Sequence, residues 1–251
     1  MRLHILLPLV LVQVVLSRAG FDEKANLIVI RMERTYRSSR TLQATFLERY
    51  LENGREVQSD AGVAYFGRPG RMRWEYQFPE RNLYLIDGKW SWFYVPADHT
   101  VTRVRARESS DWRTPLALLA GEMKVSRICA EVSTDSGLQP SIASNVMFRC
   151  ELRGSKGAPL SNGRTPLSVE ANDKVLFEVN ATNGELARIL ILDPGGVEVE
   201  FRFANWRFDP PLDPKIFRFE PPKGVAIVDG DPAMQTPTSR AGRVGSPLNV
   251  P

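Results

Sequence analysis

The segment from Ala61 to Pro96 constrains the fold more than any other part of the chain. From Arg71 to Tyr76, charged residues alternate with Met72, Trp74 and Tyr76, which are large and mainly apolar. Successive side chains of a strand point to opposite faces, so this alternation predicts a strand with one apolar and one polar face. Gly67 to Gly70 supply the turn before the strand, and Pro79 ends it.

Further strands follow in short order. Asp87-Gly88, a dipeptide favoured in tight hairpin turns, joins two strand-like runs, so the segment predicts an antiparallel meander. The same signals predict strands in most of the remaining chain, over Gln43–Leu51, Val57–Phe66, Leu83–Ile86, Trp90–Val95, Val101–Ala106, Val125–Val132, Asn145–Leu152, Val175–Asn180, Leu186–Leu192 and Val197–Phe203.

Two helices interrupt this pattern. Apolar residues recur at helical spacing from Phe21 to Tyr36, which predicts an opening amphipathic helix whose apolar stripe packs on the sheet. A second, short helix is predicted from Thr114 to Ala120, because Thr114-Pro115 forms a good cap and first turn.

The two ends of the chain differ from its middle. A basic start, an apolar run from Ile5 to Leu16 and a small residue at Ala19 predict a signal peptide over residues 1–19. The alternative is a membrane anchor, but the run is shorter than the roughly 20 residues that a span requires. No Cys lies near the expected cleavage site, so we expect no lipid attachment there. Residues 20–228 are expected to form one domain, with a surface loop over 154–166 and a disordered tail over 229–251.

The chain has two cysteines, Cys129 and Cys150. Export would place them where disulfides form, and both fall in predicted strands, so we predict a disulfide between neighbouring strands. The alternative is a pair of inert buried thiols. Two cysteines are too few ligands for a structural metal site, so no metal is predicted.

Most signatures of catalytic sites are missing. Carboxylates are plentiful and leave a glycosidase pair open as an alternative, but nothing selects any two of them. His99, in a polar turn, is the one histidine after residue 19, which argues against a nucleophile–histidine mechanism. Neither a phosphate-binding nor a dinucleotide-binding glycine motif is present, so no cofactor is expected. The net charge of +4 is modest, and the alternating Arg103, Arg105 and Arg107 indicate either a solvated strand face or a patch for an acidic partner or anionic headgroups. Nothing predicts nucleic-acid binding.

A set of short motifs resembles the periplasmic lipoprotein carrier family, LolA. The resemblance rests on Arg68-Pro69, Arg73 to Tyr76, Pro79, Asp87 to Lys89 and Trp92 to Tyr94, in that order. Thr114 to Ala120 resembles the lid helix of the family, and Phe217 to Val228 resembles its closing segment. The resemblance implies an incomplete, unclosed antiparallel β-barrel with helices that form a lid over an apolar cavity.

The same resemblance implies which residues act. Cargo would be bound by apolar side chains, namely Met72, Trp74, Tyr76, Trp92, Leu116, Leu118 and Leu119. Ordinary core packing remains the alternative for any single aromatic residue among them, and a permanent plug is the alternative to a moving lid. Arg68 matches the arginine whose guanidinium bonds to main-chain carbonyls of the lid and holds the empty cavity shut.

The implied function is that of a non-enzymatic, monomeric periplasmic carrier. Its cargo would be acylated lipoproteins, loaded by an inner-membrane ATP-driven lipoprotein transporter and delivered to an outer-membrane lipoprotein receptor. The alternative is a periplasmic regulatory module of the same fold, which senses lipid or a partner without shuttling.

Overall fold

The computed structural model describes residues 22–106, 117–120, 124–152 and 174–230, in which one twelve-stranded sheet dominates. The strand order is β12-β6-β5-β4-β3-β2-β1-β11-β10-β9-β8-β7, and the two edge strands do not pair with each other in these residues. The sheet is therefore an unclosed barrel, as predicted. The strands are β1 (Thr41–Glu52), β2 (Arg55–Gly67), β3 (Arg71–Phe78), β4 (Leu83–Ile86), β5 (Trp90–Val95), β6 (Thr100–Arg105), β7 (Cys129–Thr134), β8 (Asn145–Leu152), β9 (Lys174–Asn180), β10 (Leu186–Leu192), β11 (Val197–Phe208) and β12 (Ala226–Asp229).

The sheet consists of two antiparallel meanders joined through β1. Strands β1 to β6 pair in chain order, and so do β7 to β11. β1 pairs with β2 on one side and with β11 on the other, which makes one continuous sheet. The β1–β2 hairpin turns at Asn53-Gly54, where both residues have positive φ (51° and 77°), a conformation that Asn and Gly tolerate best.

Three helices cover one face of this sheet, which we call the inner face; the opposite face is the outer face. α1 (Glu23–Arg37) begins at Asp22, whose carboxylate accepts from the Ala25 N–H at 3.0 Å. Of its predicted apolar stripe, Ala25, Ile28, Met32 and Tyr36 are buried, together with Val29, and Phe21 lies outside the described residues. The others are α2, of which the structure describes Ala117–Ala120, and the single turn α3 (Val125–Ile128). We call α1, α2 and α3 together the helical cover.

The predicted strand over Val125–Val132 is wrong in its first half. Val125–Ile128 form α3, and β7 begins at Cys129. The Val125 N–H donates to the Glu33 side chain of α1 at 2.7 Å. These residues are 92 positions apart, so a local sequence pattern does not indicate their contact.

Other predicted segments lie partly or wholly outside the described residues: the signal peptide (1–19), the start of the second helix (114–116), the loop over 154–166 and residues 231–251 of the tail. Asp229, predicted to begin the tail, is instead the last residue of β12, which pairs in parallel with β6. β12 is short and its four residues are exposed, which is why periodicity did not predict it.

A buried ion network stabilises the outer face over β8 to β11 and β1. Arg188 bridges Glu178 at 2.7 Å and Glu200 at 3.2 Å, and Arg49 reaches Glu200 at 2.8 Å. Burial alone would raise the pKa of Glu178, but hydrogen bonds from Ser141 and the charge of Arg188 bring that pKa below its usual value. These carboxylates therefore stay ionised at neutral pH, and their bonds connect β9, β10, β11 and β1 on the face opposite the helical cover.

The disulfide between Cys129 and Cys150 is present, as predicted, and it crosses from β7 to the neighbouring β8. Its half-cystines are buried among the side chains under the helical cover. Because Cys129 directly follows α3, the bond fixes the end of that helix to the sheet.

We predict that replacing both cysteines by alanine lowers the free energy of unfolding by about 3 kcal/mol, since the bond closes a loop of 21 residues in the unfolded chain. Denaturant unfolding of the variant and of untreated and reduced wild-type protein measures the difference. Reduced wild type should match the variant. Equal stability of oxidised and reduced protein, or two thiols that react before reduction, would contradict the assignment.

Candidate functional site

The inner face of the sheet is a continuous apolar surface centred on Trp74. This side chain is fully buried, and its ring centroid lies 4.6 Å from Phe46, 5.6 Å from Phe201 and 6.0 Å from both Phe66 and Phe203. The phenylalanines come from β1, β2 and β11, so four adjacent strands meet at one indole. Edge-on ring contacts of this kind each stabilise by about 0.5–1.5 kcal/mol beyond area burial.

The helical cover packs directly into this surface. Met72, Trp74 and Tyr76 share one buried cluster with the apolar stripe of α1, with Leu119 and Ala120 of α2, and with Val125 of α3. The structure therefore brings together four of the residues predicted from the resemblance. Leu116 and the side chain of Leu118 lie outside the described residues.

Trp92, also predicted to bind cargo, faces the other way. It packs on the outer face with Leu85 and Val101, and its indole N–H donates to the Asp87 carboxylate at 2.9 Å. β5 is short and aromatic on both faces, so its own sequence does not indicate which face is inward. The pairing of Trp92 with Leu85 and Arg103 places it outside, and we do not include it in the cargo face proposed below.

Arg68 fastens the end of α1. One terminal nitrogen of its guanidinium donates to the main-chain carbonyls of Arg37 at 2.9 Å and Ser39 at 2.8 Å. Burial lowers the pKa of Arg68 from its usual value, while the charge of Asp209 opposes that change. The other two guanidinium nitrogens are buried and have no hydrogen-bond partner among the residues that the structure describes.

The same turn also holds α2, but through its main chain. The Gly70 N–H donates to the Ala120 carbonyl at 2.8 Å. The resemblance predicted that the Arg68 guanidinium would bond to main-chain carbonyls of the lid, and residues 114–116 of that segment lie outside the described residues. Among the described residues, the turn from Gly67 to Gly70 holds α1 through Arg68 and α2 through Gly70.

Glu33 is a further contact in the helical cover that the sequence analysis did not identify. One carboxylate oxygen accepts the Val125 N–H of α3 at 2.7 Å, and the other accepts from Arg37 at 2.7 Å. Glu33 lies between the buried and exposed sides of α1, which makes it resemble an ordinary surface residue in the sequence. It ties α3 to α1, as Arg68 ties α1 to the sheet.

One end of the inner face is polar. Glu48 and Asp60 are buried and directly opposite each other across β1 and β2. The Tyr76 hydroxyl donates to Glu48 at 2.9 Å, and the Gln58 amide donates to Asp60 at 2.6 Å. These carboxylates interrupt the apolar surface on β1 and β2, beyond which Tyr50 and Val197 still pack against the buried cluster.

Other site types have no support in the parts of the chain that the structure describes. There, no three His, Cys, Asp or Glu side chains are grouped so that they could hold a metal ion. Among the same residues, no helix combines the length and the apolar character needed to cross a membrane.

Comparisons with known proteins agree with this architecture. The family model described as outer membrane lipoprotein carrier protein LolA matches residues 37–138. A protein of Methylococcus capsulatus, named outer-membrane lipoprotein carrier protein, is 31% identical over 200 residues, which cover 79% of this chain and 86% of the relative. A Chromobacterium violaceum protein of the same name is 28% identical over 203 residues, covering 81% and 88%.

A solved structure has the same fold. The crystal structure of an uncharacterized conserved protein from Thermus thermophilus aligns with a TM-score of 0.50 and 14% identity, over 83% of this chain and all of that one.

We predict that Glu33→Gln loosens α3. An amide accepts a weaker hydrogen bond than a carboxylate by about 1 kcal/mol, so the Val125 amide should exchange its hydrogen about fivefold faster. Hydrogen–deuterium exchange with fragment mass spectrometry measures this rate.

Arg37→Gln is the matched control, because it removes the other partner of Glu33 and leaves the bond to Val125 in place. Exchange at Val125 should then stay near the wild-type rate. Equal exchange in Glu33→Gln and Arg37→Gln would show that Glu33 does not hold α3.

Proposed function

This chain belongs to the family of outer-membrane lipoprotein carrier proteins, and from this premise we propose that its inner face shields the acyl chains of lipoproteins while they cross the periplasm from the inner to the outer membrane. The observation that supports the proposal most strongly is the apolar surface around Trp74, which extends over the sheet and which, among the described residues, α1, α2 and α3 cover. A cover made of separate helices, and not of strands of the sheet itself, can be exchanged for cargo.

The energetics require a carrier of this kind. Each buried methylene stabilises by about 0.8 kcal/mol, so one long acyl chain removed from water contributes on the order of 10 kcal/mol. A free lipoprotein therefore does not leave a membrane for water at a useful rate. An apolar face that takes up the chain offsets most of this cost.

Release requires competition with the cargo. In the closed form, the stripe of α1 and the residues Leu119, Ala120 and Val125 occupy the surface that acyl chains would need. Cargo must displace them, which lowers the net affinity and permits transfer to a tighter acceptor.

Polar contacts set how strongly the closed form is favoured. Arg68, Gly70 and Glu33 hold the helical cover down. The buried donors of Trp74 and Arg68 that have no hydrogen-bond partner within the described part of the chain destabilise the same form. A buried unpaired donor costs about 1–3 kcal/mol. The opposing terms keep the open form within reach of thermal fluctuation.

The proposed partners follow from the family. An inner-membrane ATP-driven transporter would load the carrier, and an outer-membrane receptor would accept the cargo. The protein would be exported to the periplasm and would act without covalent chemistry.

A release assay tests the proposed function. Inner-membrane vesicles that contain the transporter and a labelled acylated lipoprotein are incubated with ATP and the purified protein, with bovine serum albumin as a control. We expect a soluble one-to-one complex of lipoprotein and carrier, which then transfers its cargo to outer membranes. A lipoprotein that stays in the vesicles, or that albumin releases equally well, would contradict the proposal.

We predict that Arg68→Leu binds acyl chains more tightly and releases them more slowly. The change removes hydrogen bonds that exist only in the closed form, which raises the open fraction and the apparent affinity by about tenfold. Titration with an environment-sensitive fatty-acid probe measures affinity, and transfer to outer membranes measures release.

Arg81→Leu, an arginine in an exposed turn, is the matched control and should behave as wild type. If Arg68→Leu bound and released cargo as Arg81→Leu does, Arg68 would be a turn residue without a role in closure.

A further inference from the structure

The outer face carries a second aromatic cluster, which the proposed function does not use. Phe219 packs against Trp92 at 5.3 Å and Tyr94 at 5.6 Å between ring centroids, which docks the segment after β11 onto β4 and β5. The docking leaves an open pocket of about 560 Å³ between this segment and the sheet. Its lining residues are Arg73, Leu83, Tyr94, Lys215, Arg218, Phe219, Glu220 and Pro222.

The charges of this pocket are unbalanced. Lys215 and Arg218 are exposed, and neither has an acidic side chain within ion-pair distance among the described residues. Arg73 is already paired with Glu75 at 2.6 Å and donates to the Ile216 carbonyl at 2.9 Å. Glu220 is the one acid in the lining. The rest of the lining is apolar or aromatic.

More positive charge surrounds the neighbouring Trp90. Arg103, Arg105 and Lys89 lie 4.8, 5.1 and 5.8 Å from the centre of one of its rings. Asp229 pairs with Arg103 at 2.6 Å, which leaves the other two cations without an acidic partner in the described residues. Like charges gathered on one face repel one another, and an anionic partner would relieve that repulsion.

We propose that this pocket, together with the cations around Trp90, is a docking surface for an acidic, extended segment of a partner protein, in which Asp or Glu residues flank an apolar side chain. A pocket of this volume is of the size that takes several side chains. Its concave shape fits a protruding peptide better than a flat lipid surface. The apolar lining would receive the apolar side chain, and Lys215 and Arg218 would pair with the carboxylates.

The docking surface is separate from the apolar surface around Trp74. The pocket opens on the outer face, whereas the surface around Trp74 is on the inner face of the same strands. A partner docked here would therefore not compete with whatever occupies the inner face, and the inference does not depend on the acyl-chain proposal.

The probe for the test is a fluorescein-labelled peptide of repeated Leu-Glu-Glu, with a Leu-Gln-Gln peptide as the uncharged comparison. Fluorescence anisotropy at low ionic strength should show binding of the acidic peptide to wild type. The variant Lys215→Gln/Arg218→Gln should bind it about fivefold more weakly, as expected for two exposed ion pairs, and added salt should reduce the difference. The variant Arg55→Gln/Lys174→Gln, which loses the same charge at exposed positions elsewhere, should bind nearly as wild type does.

Two further arms complete the test. Vesicles that contain phosphatidylglycerol determine whether the surface prefers a membrane. The proposal would be overturned if the wild type bound these vesicles but not the peptide, and if the pocket variant lost the vesicle binding. Equal peptide affinities of the pocket and control variants, or no peptide binding by wild type, would overturn it as well. Fatty-acid probe binding, measured in parallel, should be the same in all these proteins, so a failure here is distinguishable from a failure of the carrier proposal.

Discussion

The burial of one apolar sheet face under a helical cover determines the rest of this structure. An unclosed twelve-stranded sheet cannot cover its inner face with its own strands, so aromatic side chains such as Trp74 and Phe46 need another partner. In the closed form that partner is the stripe of α1 with α2 and α3. The hydrophobic effect does not distinguish a leucine side chain from an acyl chain, and the proposed carrier function therefore assigns the helical cover and the cargo to the same surface.

Polar contacts at the edge of the apolar surface hold the helical cover in place. Arg68, Gly70 and Glu33 each bond to a helix end or to a neighbouring helix, and the disulfide at Cys129 fixes the far end of α3. These contacts act on the closed form and not on the apolar surface itself. In the proposed mechanism, the aromatic face provides the capacity for cargo and these polar contacts control its release. The proposed partner would bind on the outer face.

Much of the fold was predictable because its local and global signals agree. The alternation around Trp74, the Asn53-Gly54 turn and the stripe of α1 each specify a local structure that the whole protein retains. The predictions were wrong or silent where long-range contacts decide. α3 forms where a strand was predicted, because Glu33 accepts its first N–H. The inward or outward position of Trp92 depends on strand pairing, and the alternation of residues within β5 does not indicate it.

The most direct test of the central claim asks which face of the sheet touches the acyl chains. A photoreactive benzoylphenylalanine is placed at position 74 in one protein and at position 92 in another, and each is loaded with a labelled acylated lipoprotein and irradiated. The two positions lie on opposite faces of the same sheet. We expect cross-linking from position 74, little from position 92, and loss of the position-74 product when the lipoprotein lacks its acyl chains. Cross-linking mainly from position 92, or cross-linking from position 74 that does not depend on acylation, would contradict the account.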